Sequence, residues 1–128
     1  MAEYINESGL VEGIRKAVVK KYPSAWIFKV HGGQMQMAGV PDILMCIDGL
    51  IIGAEAKHKK PGESEAHARE RATPGQIVQI QRINNAGGIA GVVLTPQETL
   101  DLIERGFQKH KNVWAARLAR EEGESNES

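Results

Sequence analysis

The chain has 128 residues, 41% of them apolar and 25% charged, and its formal net charge is zero. That is enough chain for one domain with one core, expected over residues 1–120, with an acidic disordered tail at 121–128. No apolar run is long enough to span a bilayer, "MAEYINESG" lacks the pattern of a signal peptide, and the lone Cys46 excludes an internal disulfide or a CxxC-type zinc site. A reducing cytoplasm is therefore the expected location.

The first segment, "SGLVEGIRKAVVKKYP", predicts a helix. Leu10, Ile14, Ala17 and Val18 recur at helical spacing, Ser8 can cap the start and Pro23 stops it. "AWIFKVHG" alternates as a strand does, and "GGQMQMAGVP" predicts a loop that enters Asp42 extended, because Pro41 precedes it. "DILMCI" and "LIIGAEAKHK" predict two strands joined at Asp48-Gly49, a strong hairpin signal. Both are apolar on both faces, which predicts a sheet covered on each side.

The polar stretch "KPGESEAHARERATPG" carries two Pro-Gly pairs and predicts a mobile loop with room for a short helical turn. Thr73 with Gln76 forms a capping-box pattern, Pro74 suits the first helical position, and Ile77, Ile80 and Ile83 supply an apolar face. Gly87 and Gly88 close that helix. "IAGVVLT" is a buried-type strand. "TPQETLDLIERG" predicts a helix from a Thr95 cap to a stop at Gly106, and "FQKHKNVWAARLAREE" a separate one. The expected architecture is α/β, with an αβββαβ core and a mixed four-stranded sheet flanked by helices. The last strand arrives by a crossover connection.

Charge is unevenly spread. From Arg15 to Lys60 the basic residues are Arg15, Lys16, Lys20, Lys21, Lys29, Lys57, Lys59 and Lys60, opposed only by Asp42, Asp48 and Glu55. The first half is basic, and the acidic tail "EEGESNES" hides it in the total.

The hairpin register gathers three charged residues. If Asp48-Gly49 is a two-residue turn, Ile47 pairs with Leu50, and counting outward sets Asp42 opposite Glu55. Opposite residues share a face with Cβ atoms roughly 5 Å apart, and Lys57, two residues beyond Glu55, joins them. A bulge at Gly53 would shift this register. Two carboxylates at ~5 Å repel by roughly 3 kcal/mol at an effective dielectric of 20. A hard divalent cation, Mg²⁺ or Mn²⁺, relieves that repulsion, and a lysine beside it can position water or stabilise phosphoryl charge. Taken singly, Asp42 reads as a loop cap and Glu55 with Lys57 as a solvent-facing pair. Their convergence is what points to chemistry.

Pro41-Asp42 followed by Glu55-Ala56-Lys57 resembles the PD-(D/E)XK nuclease superfamily. "AGVPDIL", "GAEAKHKK" and "TPGQIVQIQRINNAGGIAGVV" resemble its VRR-NUC branch, of the small stand-alone, often phage-encoded type, over roughly residues 8–105. The resemblance implies a restriction endonuclease-like fold similar to that of Holliday junction resolvases. It implies metal binding by Asp42, Glu55 and the Ala56 carbonyl, and catalysis by Lys57. It also implies site roles for Gln76, with Gln79 as the alternative, and for Glu12 on the first helix. The expected activity is a metal-dependent DNA endonuclease that leaves a 5′-phosphate, acting on duplex or branched DNA as a homodimer and using no organic cofactor. Lys29, Lys59, Lys60, Arg69 and Arg71 could contact the DNA backbone, and "NVWAARL" with Trp114 is a candidate dimer surface.

Two other classes compete. A non-catalytic DNA-binding or assembly module on the same fold would have no use for the intact Asp, Glu and Lys. A nucleotide-binding loop at "HGGQMQMAG" lacks the Gly-Lys-Ser/Thr ending that cradles phosphates. The four histidines, His31, His58, His67 and His110, show no zinc-ligand spacing.

Overall fold

The computed structural model describes residues 4–31 and 38–126. Most of the loop "GGQMQMAGVP" and of the "HGGQMQMAG" segment therefore lies outside the described residues. The elements run α1 (Glu7–Lys21), β1 (Trp26–Lys29), β2 (Ile43–Ile47), β3 (Leu50–Ala56), α2 (Glu65–Glu70), α3 (Pro74–Asn85), β4 (Ile89–Val93) and α4 (Pro96–Asn126). This is the expected αβββαβ arrangement, with the short α2 added before α3 and a long helix at the end. The strands stand in sequence order, β1 to β2 to β3 antiparallel and β3 to β4 parallel.

Each strand divides its residues between two faces. Ile43, Met45, Ile47, Leu50, Ile52, Ala54 and Ala56 point to one side. There they form the core with Leu10, Ile14 and Val18 of α1 and Leu102 and Ile103 of α4. The other side carries Trp26 and Phe28 of β1, Leu44 and Cys46 of β2, and Ile51, Gly53 and Glu55 of β3, in cross-strand rows. The sheet was expected to be covered on both faces, and here the structure differs. α3 covers only the β3–β4 half of the second face. Trp26, Phe28 and Ile51 stay half exposed. One helix is about 10 Å wide and adjacent strands are about 4.8 Å apart, so a single helix cannot roof four strands.

Local signals mostly decide the helix ends. Thr73 caps α3 with the full reciprocal box, its hydroxyl accepting from Gln76 N and Gln76 Oε1 accepting from Thr73 N. Gly87 leaves that helix at φ +100°, a left-handed conformation that suits glycine. α1 starts two residues earlier than Ser8 would place it. Asn6 is the cap, its Oδ1 accepting from Gly9 N at 2.9 Å. The apolar stripe of α3 is also rotated from the expected one. Gln76, Gln79, Ile80 and Ile83 are partly covered, while Ile77 is exposed and no residue of α3 is fully buried.

The largest departure is at Gly106. Instead of ending a helix, it sits buried inside α4, which runs on through the second predicted helix to Asn126. Residues 121–126, expected as a disordered tail, are therefore helical. A Cβ at Gly106 would lie 2.5 Å from Ile89 Cγ2 and 2.8 Å from Leu50 Cδ2. The glycine is there because the helix crosses the sheet at close range, and that reason is tertiary. Lys109, one turn on, donates to the carbonyls of Asn84 (2.6 Å) and Gly88 (2.7 Å), tying α4 to the end of α3.

Gly106→Val should lower stability by about 1–3 kcal/mol through overpacking, read as a drop in thermal midpoint, whereas Gly123→Val, where nothing lies within 4 Å, should not. Equal behaviour of the two variants would remove the packing explanation.

Candidate active site

The Asp48-Gly49 turn has both residues at positive φ, +49° and +84°, the type I′ geometry that suits the twist of a tight hairpin. Ile47 pairs with Leu50 and the ladder continues without a bulge to Ile43 opposite Ala54. One step further, Asp42 and Glu55 face each other across the ends of β2 and β3. Their link is direct: Asp42 N donates to Glu55 Oε2 (3.2 Å), and Ala56 N donates to Asp42 Oδ2 (3.0 Å). Lys57 Nζ lies 3.4 Å from Glu55 Oε1, and Gln76 Nε2 donates to the same oxygen at 2.6 Å.

Glu55 is 1% exposed and Lys57 8%. Burial and the neighbouring Asp42 charge push the Glu55 carboxyl up to about 7, although Lys57 pulls the other way. Asp42 is also raised, first by burial, while the Ala56 N–H works to lower it. Two carboxylates, one buried and one half-buried, thus stand beside a single ammonium that pairs with Glu55. Net negative charge is left over, and both acids hold protons more tightly than usual. This is a donor set that a hard divalent cation fits.

Gln76 arrives there through a close backbone approach. Gly39 has φ +83°, and a Cβ on it would lie 2.4 Å from the carbonyl carbon of Gly75 and 2.8 Å from Gln76 N. The loop before Pro41 therefore rests directly on the first turn of α3. Gly53 plays the same part in β3, where a Cβ would meet Ile83 Cδ1 at 2.9 Å and Pro41 Cγ at 3.0 Å. Between the two glutamines, the geometry brings Gln76 to Glu55.

The other candidate residues are dispersed. Glu12 is half exposed and bound by the Arg15 guanidinium, which holds its carboxyl below the usual range. The acid of α1 whose charge reaches Asp42 is Glu7, at the helix start. Sequence reasoning missed it because Glu7 lies outside the apolar stripe and only the packing of α1 over the hairpin end brings it near. Lys29 points to the α1 side of the sheet, away from the carboxylates, where its charge acts on Glu12. Lys59 and Lys60 are exposed just beyond Lys57.

Arg69 and Arg71 have structural partners. Arg69 bonds Glu98 (2.9 Å) and the Val92 carbonyl (3.3 Å). Arg71 bonds Glu63 (2.9 Å), reaches Glu7 at 3.6 Å and donates to the His58 carbonyl. Arg71 is the main reason the Glu63 carboxyl falls to about 2. The segment 58–73, expected as a mobile loop, is held by this cluster and by the α2 cap at Ser64. Among the described residues no group of three His, Cys, Asp or Glu side chains converges on a metal position. Two carboxylates and a backbone carbonyl are what this corner offers.

No protein-family model matches the sequence, and no curated protein matches it. Among solved structures the chain is similar to one described as "VRR_NUC domain", at 20% identity and a TM-score of 0.47. The match covers 71% of this chain and 90% of that one. No helix among the described residues is long and apolar enough to cross a membrane.

The raised Glu55 value carries a stability consequence with a definite sign. The folded state binds a proton between the usual carboxylate range and about 7, where the unfolded chain does not. Stability of the metal-free protein should therefore fall as pH rises from about 4.5 to 7, by about 3 kcal/mol in all. Urea unfolding across that range should show the fall, and Glu55→Gln should flatten it. Gly39→Ala should lower the thermal midpoint and also loosen Gln76 from Glu55; because the Gln76 amide donates to the carboxylate, its loss should show as an upward shift of the Glu55 titration midpoint toward that of a Gln76→Ala protein.

Proposed function

We propose that the chain is a divalent-metal-dependent endonuclease that hydrolyses DNA phosphodiester bonds. The observation that carries this reading is the pairing of the buried Glu55 with the half-buried Asp42, with Lys57 against Glu55. Such a set is costly to bury and has no structural use that apolar residues would not serve better. Asp42, Glu55 and the Ala56 carbonyl would hold Mg²⁺ or Mn²⁺. When bound, that cation supplies charge neutralisation for the phosphate and a more acidic water.

Lys57 orients the attacking water and stabilises the charge that builds on the phosphoryl oxygens. Gln76 holds Glu55 in place, and Glu7 is a further acid within electrostatic reach of the centre. Water adds to phosphorus, the P–O3′ bond breaks, and the products are a 5′-phosphate and a 3′-hydroxyl. Lys59 and Lys60, exposed beside Lys57, are the best placed cations for the DNA backbone.

One such site engages one strand. Symmetric cutting of a duplex or a four-way junction would need a two-fold homodimer. The exposed α4 stripe of Val113, Trp114 and Leu118 is the proposed contact, with Arg117 stacked 5.2 Å from the Trp114 ring.

Supercoiled plasmid and a synthetic four-way junction, each with Mg²⁺, Mn²⁺ or EDTA, test the activity. Cleavage should require metal and fall at least about a hundredfold in Glu55→Ala and in Lys57→Ala. Binding to DNA with no cleavage under any metal would replace this reading with a non-catalytic DNA-binding module.

A further inference from the structure

The half of the second sheet face that no described helix covers leads straight to the candidate site. Cross-strand rows run Trp26–Cys46–Ile51, then Phe28–Leu44–Gly53, and then the row of Asp42 and Glu55. Val30 N donates to Asp42 O at 2.8 Å, so β1 continues into that last row. Rows on one face are about 6.8 Å apart, the rise of two stacked nucleotides. The rings of Trp26 and Phe28 lie parallel, 4° between planes and 5.9 Å between centroids. They are 55% and 45% exposed.

We propose that this strip stacks unpaired bases of the nucleic-acid strand whose phosphate lies at Asp42 and Glu55. The proposal rests on the nuclease reading for the position of the phosphate, and it narrows the substrate to DNA with single-stranded character beside the cut.

Three observations favour this occupant. The strip's side chains, Trp26, Phe28, Leu44, Cys46 and Ile51, include no acid, and the exposed Lys59 and Lys60 stand at its site end for a polyanionic backbone. Aromatic faces on an open sheet are how base-stacking surfaces are built, and they tolerate any base. The exposed area is small. At their observed exposure the two rings offer roughly 200 Å², against roughly 800 Å² per partner for a standard protein interface. A short run of bases fits that scale.

The test uses Trp26 as its own reporter in a Trp114→Phe background, where it is the remaining tryptophan. Dodecathymidylate is titrated in EDTA, so that no cleavage is involved. Trp26 fluorescence should be quenched saturably, and a blunt duplex of the same length should quench far less. Phe28→Leu keeps the apolar bulk and removes the π face, so it should weaken binding about tenfold or more.

Unchanged affinity in Phe28→Leu, or equal quenching by duplex, overturns the proposal. So does conversion of a dimer to a monomer by Trp26→Ala in sedimentation velocity with oligonucleotide binding intact, which assigns the strip to a second copy. Quenching without any metal-dependent cleavage would leave the strip standing and remove the nuclease reading. Cleavage without quenching would do the reverse.

Discussion

Two carboxylates held face to face across a hairpin are the constraint on which the rest of this structure turns. Asp42 and Glu55 repel, the first half-buried and the second almost fully buried, and together outweigh the single charge of Lys57. They stay together because the ladder of β2 and β3 fixes the spacing of their Cα atoms, and because two backbone N–H groups and a glutamine occupy their oxygens. The core on the far face supplies the stability that tolerates the repulsion. Ile43, Met45, Ile52 and Ala54, neighbours of the pair in the same strands, are almost completely buried there.

Small residues decide how near the other elements come. Gly39, Gly53 and Gly106 each stand where a methyl group would collide with backbone or with a core side chain. The first brings α3 to the loop before Asp42, the second lowers α3 onto β3, and the third lets α4 cross close over the sheet. The site is built at the meeting of these approaches, so its geometry belongs to the fold as a whole more than to any one strand.

Much of this was legible in the sequence because the signals were local. Asp48-Gly49 between apolar runs specifies the turn, and the period of two then carries Asp42 across from Glu55. The Thr73 cap places Gln76 on the first turn of α3. What could not be read depends on packing between distant segments. Gly106 has the same composition as a helix stop, and only its contact with Ile89 and Leu50 tells the two roles apart. Glu12 and Glu7 are both acids of one helix, and the choice between them needs the position of α1 over the hairpin. Arg69 and Arg71 look free in sequence, yet their partners Glu98, Glu63 and Glu7 come from other elements. The open sheet face was hidden for a similar reason. Strands with apolar residues on both sides look doubly covered whether or not a second helix exists.

The two-residue turn has a consequence for how this hairpin can vary. Side chains alternate faces along each strand, so with the turn kept, adding or deleting one residue within 43–47 or within 50–54 would send Asp42 and Glu55 to opposite sides of the sheet. The strip of Trp26 and Phe28 would part company with the carboxylates in the same step. Substitutions within the strands change one contact at a time and leave the register intact. The hairpin can therefore drift widely in composition while its length is frozen, and a change in residue number alone would separate the two acids at a stroke.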